Sequence, residues 1–190
     1  MSTNSNLKLT KKRNATLRQV ILTGMFLAIL VVQEQLLIFL PNIQLTVVLI
    51  MVYASFMPSH LLGFLIVGYV FLDNLIMGSF SIIYTPPMLI AWILLAVIGR
   101  LVRNSSMIVV LLSAFLFGFV YGWIYIPFSM IVHGIDIFWP YLLADLPFEI
   151  TMALNNYLTV LILYKPLRAL LEPLMIPKNE NEETDAPPCF

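Results

Sequence analysis

Residues 19–99 and 104–164 contain no lysine or arginine, and apolar residues fill both stretches in runs as long as a bilayer crossing. A hydrocarbon core of roughly 30 Å needs about 20 helical residues, fewer inside a bundle. Proline and glycine punctuate helices, so their positions divide the runs. Pro41-Asn42 closes the first span, and Pro58-Ser59-His60 separates the second from the third. Gly78-Ser79-Phe80-Ser81 and Pro86-Pro87 bracket the loop before the fourth. His133-Gly134-Ile135-Asp136 and Trp139-Pro140 separate the last two. The pattern predicts an all-α membrane protein, a six-transmembrane-helix bundle with spans at about 18–39, 42–57, 60–78, 86–102, 106–131 and 140–164. Six spans return both termini to one side.

The basic residues test that number. They are Lys8, Lys11, Lys12, Arg13, Arg18, Arg100, Arg103, Lys165, Arg168 and Lys178. Cytoplasmic loops carry an excess of Lys and Arg. With a cytoplasmic N-terminus, residues 1–17, 58–60, 102–106 and 165–190 lie inside, and every basic residue sits at or beside a cytoplasmic end. Five or seven spans break this pattern. Residues 1–14 read as a basic cytoplasmic arm drawn to anionic lipid. The apolar run behind them lacks a small-residue cleavage site, so it reads as a retained helix and not a signal peptide. Residues 15–170 form the membrane domain. Lys165 to Ile176 suits a short interfacial helix, and 171–190 read as an acidic, disordered tail.

Composition narrows the function. Hydrophobic residues make up 61% and charged residues 11%, with mean hydropathy +0.95 and net charge zero, which excludes a soluble domain. The balance also points away from nucleic acid. Cys189 is the single cysteine, so no internal disulfide forms, and it is not placed as a prenylation box. No Walker A loop, HExxH or zinc-spaced Cys/His cluster occurs, and His60 and His133 fall on opposite sides of the six-span layout. An enzyme, a bound metal and a cofactor are therefore not expected.

Ionisable groups inside a bilayer cost about 2.5–3.5 kcal/mol on insertion scales and so ask for a function. Glu34, Asp73, Asp145 and Glu149 fall in the outer half of the layout, with Asp136 in an outer loop. Asp145 and Glu149 are one helical turn apart, and Met152 and Asn156 continue their face. Singly, each reads equally well as an interfacial group or a bundle-locking hydrogen bond. Together they point to a cavity open to the outside. Phe117, Tyr121, Tyr125 and Phe128 follow helical spacing, while Trp123, Trp139, Tyr141 and Tyr84 lie toward the outer side. An interfacial belt and a stacking surface for a flat ligand both explain them. Gly24 and Ala28 form a small-xxx-small pair, suited to packing within the bundle or against a partner helix.

Three segments together resemble a known family. They are Leu40-Pro41-Asn42-Ile43-Gln44-Leu45, the glycine-spaced run Gly63 to Gly78 containing Asp73, and Tyr84-Thr85-Pro86-Pro87 with the following helix to Gly99-Arg100-Leu101. With the six-span layout, residues 15–170 resemble the substrate-binding S-components of energy-coupling factor (ECF) vitamin transporters. The resemblance implies a bundle in the cell (plasma) membrane of a bacterium that holds a micronutrient near its outer face. It implies docking on a transmembrane scaffold subunit that carries two ATPase subunits, the site of ATP hydrolysis. Docking in the family uses small residues on the first helix, here Gly24 and Ala28, with glycine replacing the usual alanine. Gln44, Tyr84, Asp136 and Trp139 fall where the family builds its pocket, as do Asp73, Tyr121 and Asp145.

The expected substrate-binding set is therefore Glu34, Gln44, Asp73, Asn74, Tyr84, Tyr121, Tyr125, Asp136, Trp139, Asp145 and Glu149. No Lys or Arg reaches that half, which disfavours a carboxylate or phosphate ligand. Carboxylates, the amides of Gln33, Gln35, Asn42, Gln44 and Asn74, and aromatic faces suit a neutral or cationic, partly aromatic molecule. A corrinoid, flavin, pyridoxine, thiamine-like compound or deazapurine base qualifies, with cobalamin as the first expectation. Two other classes stay open: a secondary carrier using Glu34, Glu149 or Asp73 as a proton site, and a non-transporting membrane scaffold. Inverted repeats of the carrier type are not evident.

Overall fold

The computed structural model describes residues 2–40 and 43–175, with side chains from Thr16 onward. It is helical throughout, with no strand among the described residues. The helices are α1 (Ser2–Leu36), α2 (Thr46–Phe56), α3 (Ser59–Met77), α4 (Thr85–Val102), α5 (Met107–His133) and α6 (Phe138–Met175). A 3-10 turn, Ile135–Ile137, joins the last two. Within α1, the segment Thr16–Leu36 is long and apolar enough to cross a membrane, as are α3, α4, α5 and the Ile135–Met175 segment. The expected spans 60–78, 86–102 and 106–131 lie within two residues of α3, α4 and α5.

Two expectations are corrected. The second span was expected at 42–57, yet α2 has only 11 residues. At 1.5 Å per residue it is about 16 Å long, half a bilayer core. Ile43 to Leu45 is not helical because that segment is held from outside: the Leu45 N–H donates to Gln33 Oε1 at 2.9 Å. Pro41 and Asn42, the expected break, lie outside the described residues. Thr46 to Ala54 are all buried, so α2 is wrapped on every side and faces protein instead of lipid. It packs chiefly on α4 and α6 and forms the axis of the core.

The last span was expected at 140–164, followed by a separate interfacial helix over 165–176 and a tail from 171. Instead α6 is one helix of 38 residues running through Pro147, Pro166 and Pro173. Each interior proline removes a backbone hydrogen bond. Packing holds the helix straight through, with Tyr164 and Leu171 buried and Arg168 donating to the Arg103 carbonyl at 2.6 Å. The rest of the expected tail, with Lys178 and Cys189, lies outside the described residues. So do the side chains of the basic arm, whose backbone belongs to α1 from Ser2.

Arginines tie one end of the bundle together. Arg18 Nη2 donates to the Leu174 carbonyl at 2.9 Å, joining α1 to the end of α6. Arg100 donates to the Met57 carbonyl at 2.7 Å and to Ser59 Oγ, joining α4 to the α2–α3 turn. Arg18, near the start of the Thr16–Leu36 segment, thus lies beside the end of α6. Between the ends, aromatic rings fill the core: Phe26 stacks on Tyr53 at 4.5 Å, and Trp92 meets Phe117 at 5.9 Å and Tyr121 at 5.1 Å.

Candidate ligand site at the acidic end

At the opposite end the backbone alternation brings together the end of α1, the start of α2, the end of α3 and the α5–α6 junction. A polar knot fastens the first three. Gln33 Nε2 donates to Thr46 Oγ1 at 2.7 Å and to Glu34 Oε2 at 3.2 Å. Thr46 Oγ1 and the Tyr69 hydroxyl donate to the same Glu34 oxygen, at 3.1 and 3.3 Å. Gln33, Thr46 and Tyr69 are buried. Placing Thr46 at the first turn of α2 is what lets it join Gln33 of α1 and Tyr69 of α3 in satisfying this carboxylate internally. Glu34 also lines a cleft of about 210 Å³ with Leu37, Ile43, Gln44, Met77, Tyr121 and Met152. Gln44 is held there by its carbonyl, which accepts from Asn155 Nδ2 of α6 at 2.8 Å.

A second cleft, about 230 Å³, opens between α5 and α6. Tyr121 and Tyr125 of α5 face Tyr141, Asp145, Phe148 and Glu149 of α6 around it. The hydroxyls of Tyr121 and Tyr125 are 2.8 Å apart and hydrogen bonded. Gly118 and Gly122 let the two helices meet. A Cβ on Gly118 would lie 2.5 Å from Ala153 Cα, and one on Gly122 would lie 2.5 Å from Glu149 Oε1 and 2.7 Å from Asp145 Oδ2. A side chain at Gly118 would force the helices apart, and one at Gly122 would displace the Glu149 and Asp145 carboxylates. Glu149 is 3% exposed, and Trp123 lies within reach of its carboxylate. Tyr121 and Met152 line both clefts, so the two share a wall.

The structure therefore gathers Glu34, Gln44, Tyr121, Tyr125, Asp145 and Glu149 at two adjoining clefts. Asp73 and Asn74 line neither. Asn74 is committed to the α3–α4 turn: Nδ2 donates to the Val70 carbonyl at 2.8 Å, and Oδ1 accepts from Thr85 Oγ1 at 3.0 Å and Ser79 Oγ at 3.3 Å. Gly78 makes that turn with φ 64°, which suits glycine. Asp73 is buried, with Oδ1 unpartnered. Tyr84, Asp136 and Trp139 are exposed and line neither cleft. Asn42 lies outside the described residues.

Gly24 and Ala28 do not pack within the bundle. Both are exposed on the outer face of α1, and nothing lies within 4 Å of where a Gly24 Cβ would be. Their face continues through Val20, Ile21, Met25 and Val32, each more than half exposed. The glycine pair that does bring helices together, Gly118 and Gly122, is a small-xxx-small pair legible in the sequence but not singled out. Thr46, Asn155 and Phe148 were also missed, and no local pattern marks them. Among the described residues, no three His, Cys, Asp or Glu side chains converge as a metal site would require. No family model, no curated protein and no solved structure matches the chain.

Proposed function

We propose that this chain is the substrate-binding subunit of an ECF-type importer for a vitamin or similar micronutrient. The observation that carries the reading is the pair of adjoining clefts, lined by carboxylates and tyrosines, at one end of a helical bundle whose other end is basic. By the positive-inside rule the basic end is cytoplasmic, so the clefts open outward in the cell membrane. The chain captures the ligand, and a scaffold subunit with two ATPases drives release inside. The exposed Gly24–Ala28 face of α1 is the surface for that scaffold, because small residues let a second helix approach closely.

Pockets for drug-sized ligands run to about 300–1,000 Å³. Neither cleft reaches that range alone, and a ligand that spans both must displace the Tyr121 and Met152 side chains between them. This favours the smaller aromatic members of the ligand class, and cobalamin requires the mouth to open further. A panel of radiolabelled vitamins on the purified protein identifies the ligand. Tight binding of a polyanionic vitamin overturns the charge argument.

A proton-coupled carrier is the second reading, favoured by Glu149, a carboxylate buried without a basic partner among the described residues. Uptake by cells with and without the ATPase subunits separates the two. Accumulation that needs the ATPases supports the importer. Accumulation that persists without them, and collapses with a protonophore, establishes the carrier.

A further inference from the structure

We propose that the α5–α6 cleft recognises the cationic nitrogen of an organic molecule, with Glu149 and Asp145 as counter-ions and tyrosine rings as its walls. Glu149 Oε1 and Asp145 Oδ2 lie 2.5 and 2.7 Å from one point in space, the position a Cβ on Gly122 would occupy. Two carboxylates that converge on one point repel each other, and either a shared proton or a positive charge between or beside them relieves the repulsion. The chain places no cation there: residues 19–99 and 104–164 contain no Lys or Arg, and Glu149 is buried at 3% exposure with Trp123 as its one polar neighbour. Leaving a buried carboxylate unpaired is costly, so the arrangement fits a positive charge brought by a ligand.

The surroundings choose the kind of cation. A divalent metal asks for more oxygen ligands than two carboxylates supply. Tyr121, Tyr125 and Tyr141 instead present aromatic rings at the same cleft, and rings beside carboxylates are how alkylated ammonium groups are bound. Gly122, having no side chain, leaves room for both carboxylate oxygens at the α5–α6 contact. Another cleft, about 140 Å³ between α3 and α4, lacks these features: it is apolar, and its Arg100 is spent on Met57 and Ser59.

This inference rests on the acidic end being a ligand mouth, and its test does not use the partner subunits. Full-length protein in phosphatidylglycerol nanodiscs is titrated calorimetrically with benzyltrimethylammonium and with uncharged benzyl alcohol, empty nanodiscs being subtracted. The expected result is saturable binding of the cation at one site and none of the alcohol. Glu149→Gln, which is isosteric and keeps an oxygen that can accept from Trp123, should weaken binding by about tenfold or more, the scale of a lost contact to a charged group. Asp145→Asn should weaken it less, because Asp145 is more exposed. Thermal unfolding of each variant checks folding, and Asp145→Asn carries the test if Glu149→Gln does not fold. Phosphatidylcholine nanodiscs tell a free solute, whose affinity is unchanged there, from a choline headgroup, which competes. No saturable binding, equal binding in both variants, or displacement by equimolar calcium overturns the proposal. ATPase-dependent uptake that survives such a failure leaves the importer reading intact.

Discussion

Gly122 Cα faces Glu149 so closely that a single added methyl would sit 2.5 Å from the Glu149 Oε1 atom. A glycine on one helix and a carboxylate on the next thus occupy one contact, and the cleft beside them depends on that contact. One turn earlier, Gly118 does the same against the Ala153 backbone. Backbone cannot swing aside as a side chain can.

Gly118→Ala should therefore destabilise the protein by about 1–3 kcal/mol, the usual cost of overpacking. Gly122→Ala should cost less, since the Glu149 and Asp145 side chains can shift. Gly24→Ala should be neutral or stabilise by about 0.5–1 kcal/mol, because an exposed helical glycine costs that much relative to alanine. Thermal unfolding in detergent ranks the three. Equal effects at Gly24 and Gly118 would contradict the packing described for α5 and α6.

Thr46→Val should destabilise by about 1–3 kcal/mol. The hydroxyl accepts from Gln33 and donates to Glu34, so its loss leaves both short of a partner at the α1–α2 junction. Tyr69→Phe removes one donor to Glu34 and should cost about 1 kcal/mol. A double-mutant cycle reads the coupling. Strict additivity would mean that Thr46 and Tyr69 serve Glu34 independently.

Gly24→Trp and Ala28→Trp should abolish co-purification with the scaffold subunit while ligand binding by the isolated protein survives. The side chains there meet open space, so bulk is tolerated by the bundle itself. Normal assembly of both variants would place the docking surface elsewhere.

Arg168→Ala should loosen the basic end without changing ligand binding. Its guanidinium bridges α6 to the Arg103 carbonyl and lies 5.7 Å from the centroid of the Phe56 ring. Faster amide exchange at the ends of α4 and α6, with unchanged affinity, is the expected pair of readings.

Much of this architecture was legible from charge and apolar runs. Helix α3 runs between Pro58 and Gly78, α4 starts with Pro86 and Pro87 in its first turn, and α5 stops at Gly134, because those residues act locally. The extent of α2 was not legible, since valine and leucine look alike whether they face lipid or protein. Nor was the continuity of α6, because Pro166 and Pro173 act through the backbone while packing against Arg103 and Arg18 acts through space. The same limit applied to the site. Asp145 and Glu149 share a face by spacing alone, but Asn74 reads as a ligand amide until Ser79 and Thr85 are seen to use it. Only the fold says which polar groups are already spoken for.

The full enclosure of α2 has a consequence for biosynthesis. An apolar segment of 11 residues is too short to be retained in lipid alone, and its principal neighbours, α4 and α6, are translated after it. During synthesis α2 must wait beside α1 and α3 until Phe138–Met175 emerges and completes its seat. A chain cut before α6 leaves that axis unclad on one side, so truncated products should be cleared by quality-control proteases while the full chain accumulates.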